Sequence, residues 1–207
     1  MFSGQKSIKV VKDLLRHDGS LQQELAKRTG ASIGLVNKVV KKLELSFFVA
    51  SKSRGVGLRD HQRLFLANGS QKSLRSKLVA RLISPFNSKK TVGVISEAFK
   101  DVPYAFTLLS ALGQYSAAAG GETISVYVAK NACGKAVSFL KARKFAEKGK
   151  GAIVEIYAGG EAELYDTVRT GGSRYVSREQ LILDFFASQQ YAYIANQLLE
   201  EYLGSKK

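Results

Sequence analysis

The chain has one cysteine and two histidines, and its first ninety residues hold only five acidic side chains. Each shortage excludes something. The lone Cys133 has no partner for an internal disulfide, and it is expected to be a plain buried thiol. His17 and His61 lie far apart, so no cluster has zinc-ligand spacing, and neither a metal nor another cofactor is expected. Neither "MFSGQKSIKVVKD" nor any later segment is an uncharged apolar run of the length a signal peptide or a membrane span needs. A cytoplasmic protein without membrane contact is the resulting expectation.

What is present is basic charge, unevenly spread. The 207 residues carry a net charge of +15, and residues 1–90 hold 19 Lys+Arg against 5 Asp+Glu, whereas residues 91–207 hold 13 against 12. A one-sided field of this kind attracts polyanions and raises their encounter rate, which marks the N-terminal part as a surface for nucleic acid. With 45% hydrophobic residues the chain has enough for one large core or two small ones.

Hydrophobic periodicity divides the N-terminal part. Ile8, Val11, Leu14 and Leu15 predict a first helix ending near "HDG". In "SLQQ", Ser20 and Gln23 have capping-box spacing, so a second helix is expected from Ser20, with Leu21, Leu25 and Ala26 as its buried stripe and Gly30 as its stop. Ser32 then caps a third helix, whose apolar stripe is Ile33, Val36, Val40 and Leu43 with Val39 beside it. Two helices joined by a glycine-containing turn form the helix-turn-helix arrangement. "SFFVAS", the basic turn "KSRGVG" and a return strand from "LRD" predict a hairpin with Lys52 and Arg54 at its tip. From Asp60 to about Ile83, Leu64, Phe65, Leu74, Leu78 and Leu82 predict helical segments interrupted at "NGS", and the expected fold class is therefore α+β: an N-terminal winged helix-turn-helix over residues 1–67, a connector over 68–90, and an α/β interaction domain over 91–207.

In that last part "DVPYAFTLLSALGQYSAAAGG" reads as helical and "TISVYVA" as a strand with Ile124, Val126 and Val128 on one face. Cys133 to Phe145 reads as a helix, "AIVEIYA" and "AELYDTV" as strands. Ser177 with Gln180 forms another capping box before the terminal helices. Asp184 in "LILDFF" is expected to be exposed or capped. Tyr191 and Tyr193 are expected to pack against a helix, while Phe47, Phe48 and Phe65 are expected to be buried.

The third helix turns Gly34, Asn37, Lys38 and Lys41 away from its apolar stripe, with Leu35 and Lys42 flanking. A solvated face is the ordinary reading of such lysines. Three features shift it toward DNA. Glycine inside a helix is unfavourable by about 1 kcal/mol relative to alanine, which a close backbone approach to phosphate would explain. Ser32 and the free N–H groups of the first turn form an anion-attracting helix terminus. Asn37 has the groups to pair with an adenine edge, and Leu35 to touch a thymine methyl. The expected DNA-binding set is thus Ser32, Gly34, Leu35, Asn37, Lys38, Lys41, Lys42, Lys52 and Arg54, acting on duplex DNA. The rival is a general single-stranded DNA- or RNA-binding protein with no transcriptional role. The basic cluster Lys141, Arg143, Lys144, Lys148 and Lys150 reads equally as a second nucleic-acid contact or as a solvated helix end.

The residues from Ala31 to Glu44, ending "KKLE", resemble the MarR-like winged helices of prokaryotic regulators. "YAFTLLSALGQYSAAAGGETISVYVAK", then "RYVSREQLILDFF" and "ANQLLEEYL", look like the C-terminal domain of AbiEi-type antitoxins of type IV toxin-antitoxin systems. The resemblance implies an autorepressing transcriptional regulator whose second domain is a degenerate nucleotidyltransferase and whose partner is a cognate toxin or other protein. Active nucleotidyltransferases hold Mg²⁺ with two nearby carboxylates on a strand. "GGETISVYV" offers Glu122, Thr123, Ser125 and Tyr127 but no Asp-x-Asp pair, so no catalytic residues are expected.

Overall fold

The structure, a computed structural model, describes residue 2 and residues 4–52, 55–69, 73–116, 121–188 and 190–205. It mixes α and β throughout and divides into two compact units, Met1–Lys72 and Ser73–Lys207.

In the first unit three helices, α1 (Gln5–Arg16), α2 (Gln22–Thr29) and α3 (Ile33–Leu45), precede an antiparallel hairpin of β1 (Val49–Lys52) and β2 (Gly55–Leu58). Helix α4 (His61–Gly69) follows. Val10, Val11, Leu14 and Leu15 of α1 are buried with Leu25 of α2 and Val36, Val39, Val40 and Leu43 of α3. Burying these stripes is what holds short helices that would be marginal alone. Ile33 departs from its expected place in the stripe: as the first residue of α3 it is 49% exposed. Nor does Ser20 cap α2. The Leu21 N–H donates to the Glu24 carboxylate at 3.1 Å, and the Ser20 hydroxyl donates to the His17 carbonyl at 2.7 Å. The helix therefore starts two residues later than Ser20.

The return strand also comes earlier than expected, at Gly55 rather than Leu58, because Val56 pairs twice. It faces Ser51 in the hairpin, and it exchanges bonds with the α1–α2 connection, Gly19 N–H to Val56 carbonyl at 3.1 Å and Val56 N–H to Ser20 carbonyl at 2.9 Å. Gly55 sits at φ +131°, and a Cβ there would fall 2.1 Å from the Gly19 carbonyl oxygen. Gly55→Ala is expected to lower the stability of this unit by about 2–3 kcal/mol, combining backbone strain with displacement of that contact; urea unfolding measures it.

The second unit is built on a six-stranded sheet ordered β3-β6-β5-β4-β8-β7, with β3 (Leu78–Ile83), β4 (Tyr104–Thr107), β5 (Thr123–Ala129), β6 (Ile153–Gly159), β7 (Val168–Thr170) and β8 (Ser173–Tyr175). Its helices are α5 (Ser88–Ala98), the short α6 (Leu109–Leu112), α7 (Cys133–Ala142), α8 (Arg178–Ser188) and α9 (Ala192–Gly204). The parallel neighbours β5 and β6 are joined through α7.

One sheet face presents Leu82, Tyr104, Phe106, Ile124, Val126, Val128, Val154 and Ile156 to a core completed by Ile95 and Phe99 near α5 and Leu140 of α7. Cys133 is buried in the same core, where burial pushes its thiol pKa up. Three expectations fail in this unit. The helical segments expected from Asp60 to about Ile83 hold for α4 but not beyond residue 73: a 3₁₀ turn at Leu74–Lys77 leads into β3, which pairs antiparallel with β6. "YAFT", expected as helix, is β4, buried at all four positions. "AELYDTV" is mostly turn, and the strand there begins only at Val168.

Candidate nucleic-acid interface

Helix α3 presents its outward face as expected from the sequence. The Ser32 hydroxyl accepts the Leu35 N–H at 3.2 Å and so fixes the start of the helix. Gly34, Asn37, Lys38, Lys41 and Lys42 are exposed, and Leu35 is half-buried on the flank. Among the described residues, Asn37, Lys38 and Lys41 have no hydrogen-bond or ion-pair partner, so their polar groups end in solvent. Lys42 differs: its Nζ lies 5.1 Å from the centre of the Phe2 ring, a cation–π distance. A Cβ added at Gly34 would meet nothing within 4 Å. The glycine is thus not required by packing inside the protein. Lys52 ends β1, but its side chain, like the whole of Arg54, lies outside the described residues.

The basic arginine inside this unit has structural work. Arg28 donates through Nε to the buried Asp13 carboxylate at 2.8 Å, and through Nη2 to the Ser20 hydroxyl at 2.6 Å. Arg63 stacks over Phe48. Such residues are tied into the fold, whereas Lys38 and Lys41 of α3 present their charge without a partner among the described residues. At the C-terminal end of α3 Leu45 is 82% exposed, and two residues beyond it Phe47 is 69% exposed at φ +58°. Phe48 and Phe65 are buried as expected; Phe47 is not, because the tight turn into β1 throws its side chain outward.

The second unit holds polar groups that sequence reasoning missed. Asp184, expected at the surface, is buried. Its carboxylate accepts from the Thr107 hydroxyl at 2.5 Å, the Tyr127 hydroxyl at 2.8 Å and the Gln180 amide at 2.7 Å. Burial raises its pKa above the usual 3.8, outweighing the lowering by Lys77 and by these three donors. Gln180, expected to reach back toward its helix cap, instead spends its side chain on Asp184, while its N–H bonds to the Ser177 hydroxyl. Lys77 and the buried Glu163 pair at 2.6 Å. Burial alone would raise the Glu163 pKa, but Lys77 and the Gly160 N–H hold it below the usual value. Tyr191 packs edge-on against Phe185, whereas Tyr193 is 70% exposed and does not pack as expected.

Among the described residues no group of three or more His, Cys, Asp or Glu side chains is arranged to hold a metal ion, and no helix is long and apolar enough to cross a membrane. No protein-family model, curated protein or solved structure matches the chain.

Proposed function

We propose that residues 1–72 are a winged helix that docks α3 in the major groove of duplex DNA, and that the protein is a transcriptional regulator, antitoxin-like and acting on its own operon. The observation that carries this reading is the outward face of α3: a capped N-terminus, then Gly34, Asn37, Lys38 and Lys41, whose side chains have no partner among the described residues. The hairpin after α3 supports it, since a basic tip beside a recognition helix adds phosphate contacts. So do the MarR-like pattern from Ala31 to Glu44 and the AbiEi-like stretches of the second unit, which on this reading is a catalytically silent module for a cognate toxin or another protein.

Sequence selectivity should rest on few residues. Selection from a random duplex pool is expected to yield a consensus containing an adenine read by Asn37. Asn37→Ala should relax preference at that position alone, by about 1–3 kcal/mol of discrimination. Recovery of no consensus would remove the regulator reading. Gly34 separates fold from function further. Gly34→Ala is expected to raise stability by about 0.5–1 kcal/mol, because the added methyl meets open space and the helix gains propensity. It should at the same time weaken duplex binding, where the methyl would separate backbone from phosphate. Melting curves and gel shifts on one preparation measure both.

A second reading is favoured by the exposed Phe47, which follows α3 within six residues of Lys41 and Lys42 in sequence. Exposed aromatics among cations are what single-strand binding proteins use as stacking platforms. On that reading Phe47→Ala lowers affinity for single strands and leaves duplex binding unchanged.

A further inference from the structure

The second face of the six-stranded sheet is chemically unlike the first. Where the first is apolar, the second carries Thr107, Ser125, Tyr127, Glu155 and Tyr157, a costly choice for a surface that only had to be packed. Part of it is covered by α8 through Asp184. Another part is open: a cavity of about 470 Å³ lies over Ser125, Glu155 and Tyr157, with Arg75 and Arg81 at its rim and Tyr191 in its wall. Its volume falls within the roughly 300–1,000 Å³ of small-molecule sites.

We propose that this cavity binds a nucleoside monophosphate, with the phosphate on Arg75 and Arg81, the ribose hydroxyls on Glu155, and the base against Tyr191 and the leucines beside it. Guanidinium groups suit phosphate because their planar forks donate in pairs. Arg75 has no ion-pair partner among the described residues. Arg81 is committed only weakly, its Nε 3.8 Å from a Glu155 oxygen with the side chain 60% exposed. Glu155 is the acceptor a sugar diol requires. One of its oxygens takes the Tyr157 hydroxyl at 2.6 Å, and an ionised carboxylate has lone pairs to spare for further donors. Burial and the neighbouring Glu155 push the Tyr157 pKa far up, so this hydroxyl remains a donor that holds the carboxylate in place. The apolar share of the lining, leucines with the Tyr191 ring, suits a flat base better than a free sugar phosphate. The wall includes Leu108 at φ +49°, a conformation that leucine rarely adopts and that concentrates at ligand sites.

This inference does not rest on the DNA-binding reading, and calorimetry on the full chain tests it separately. AMP, GMP, CMP and UMP are titrated in turn, with adenosine and inorganic phosphate as controls. At least one nucleotide is expected to bind with one site per chain, at least tenfold tighter than either control. Replacing Arg75 and Arg81 together by alanine should lower that affinity at least tenfold. Both side chains are exposed, and an unchanged melting temperature in the variant would show that the fold is kept. Glu155→Gln should weaken a ribonucleotide more than its 2′,3′-dideoxy analogue. Replacing Lys38 and Lys41 by alanine should leave nucleotide binding unchanged. The proposal is overturned by no heat from any of the four nucleotides at millimolar concentration, by inorganic phosphate binding as tightly as they do, by affinity unchanged in the double arginine variant, or by affinity lost with Lys38 and Lys41.

Discussion

Replacing Lys38 and Lys41 together by alanine is expected to weaken duplex DNA binding about 10- to 30-fold near physiological salt, and to do so equally for every sequence. Neither lysine has a partner among the described residues, so the change leaves no buried group unpaired there and should leave the melting temperature within a degree or two. What is lost is counterion release. Each phosphate contact contributes about 0.9 to the slope of log affinity against log salt, so the slope should become shallower by about 2. Gel-shift titrations at several salt concentrations read both quantities. A variant that bound as tightly as the parent would make this face of α3 an ordinary solvated one.

The second large effect concerns Asp184. Asp184→Ala is expected to lower the stability of the second unit by about 3 kcal/mol, on the order of a 10 °C drop in melting temperature. The reason is not the lost carboxylate but its three donors: Thr107, Tyr127 and Gln180 would be left buried without the acceptor they share. Asp184→Asn should cost far less, because the amide keeps an acceptor oxygen and its N–H₂ can donate to the Thr107 hydroxyl.

The pH dependence separates the two variants. Since the folded-state pKa of Asp184 lies above its unfolded value, its contribution to stability is fully present below about the usual 3.8 and is lost as pH rises through the raised pKa. The stability of the native protein relative to Asp184→Asn should therefore fall as pH rises through this acid range. Glu163 acts in the opposite sense. Its depressed pKa contributes stability above the usual 4.5 that is lost as pH falls. Chemical unfolding of the native chain and of the Asn variant from pH 3 to 8 measures the difference, which cancels the Glu163 effect common to both.

The amphipathic elements were legible from their own residues. In α3 the stripe Val36, Val40 and Leu43 recurs at helical spacing and announces the side it buries; in β5 the alternation of Ile124, Val126 and Val128 with Ser125 and Tyr127 announces a strand, although both of its faces are buried. Strand β4 does not. "YAFT" is buried on both faces, and a strand without an exposed side has no alternation to read, so its run into "LLSAL" looked helical. Leu74, Leu78 and Leu82 mislead in another way. They sit at helical spacing, yet they belong to a 3₁₀ turn and an edge strand whose partner, β6, lies some seventy residues further on.

The polar groups of the second unit were hidden for the same reason. Asp184 depends on Thr107 and Tyr127, 77 and 57 residues away in sequence, and no local pattern records such a meeting. The charge map was legible in part. Five of the nineteen cations in residues 1–90 belong to the second unit, among them Arg75 and Arg81 of the cavity, because the supposed connector is part of that fold. The lysine face of α3 was fully legible, since helical geometry alone decides which side chains share a face.

The most direct test of the DNA-binding account is the affinity of the intact protein for duplex and single-stranded DNA of equal length across a salt series. The expected result is tighter binding to duplex, by tenfold or more, with a slope of log affinity against log salt of about −4 to −5 for some five neutralised phosphates. Equal or tighter binding to the single strand, lost with Phe47→Ala and indifferent to Lys38 and Lys41, would contradict a recognition helix in the major groove.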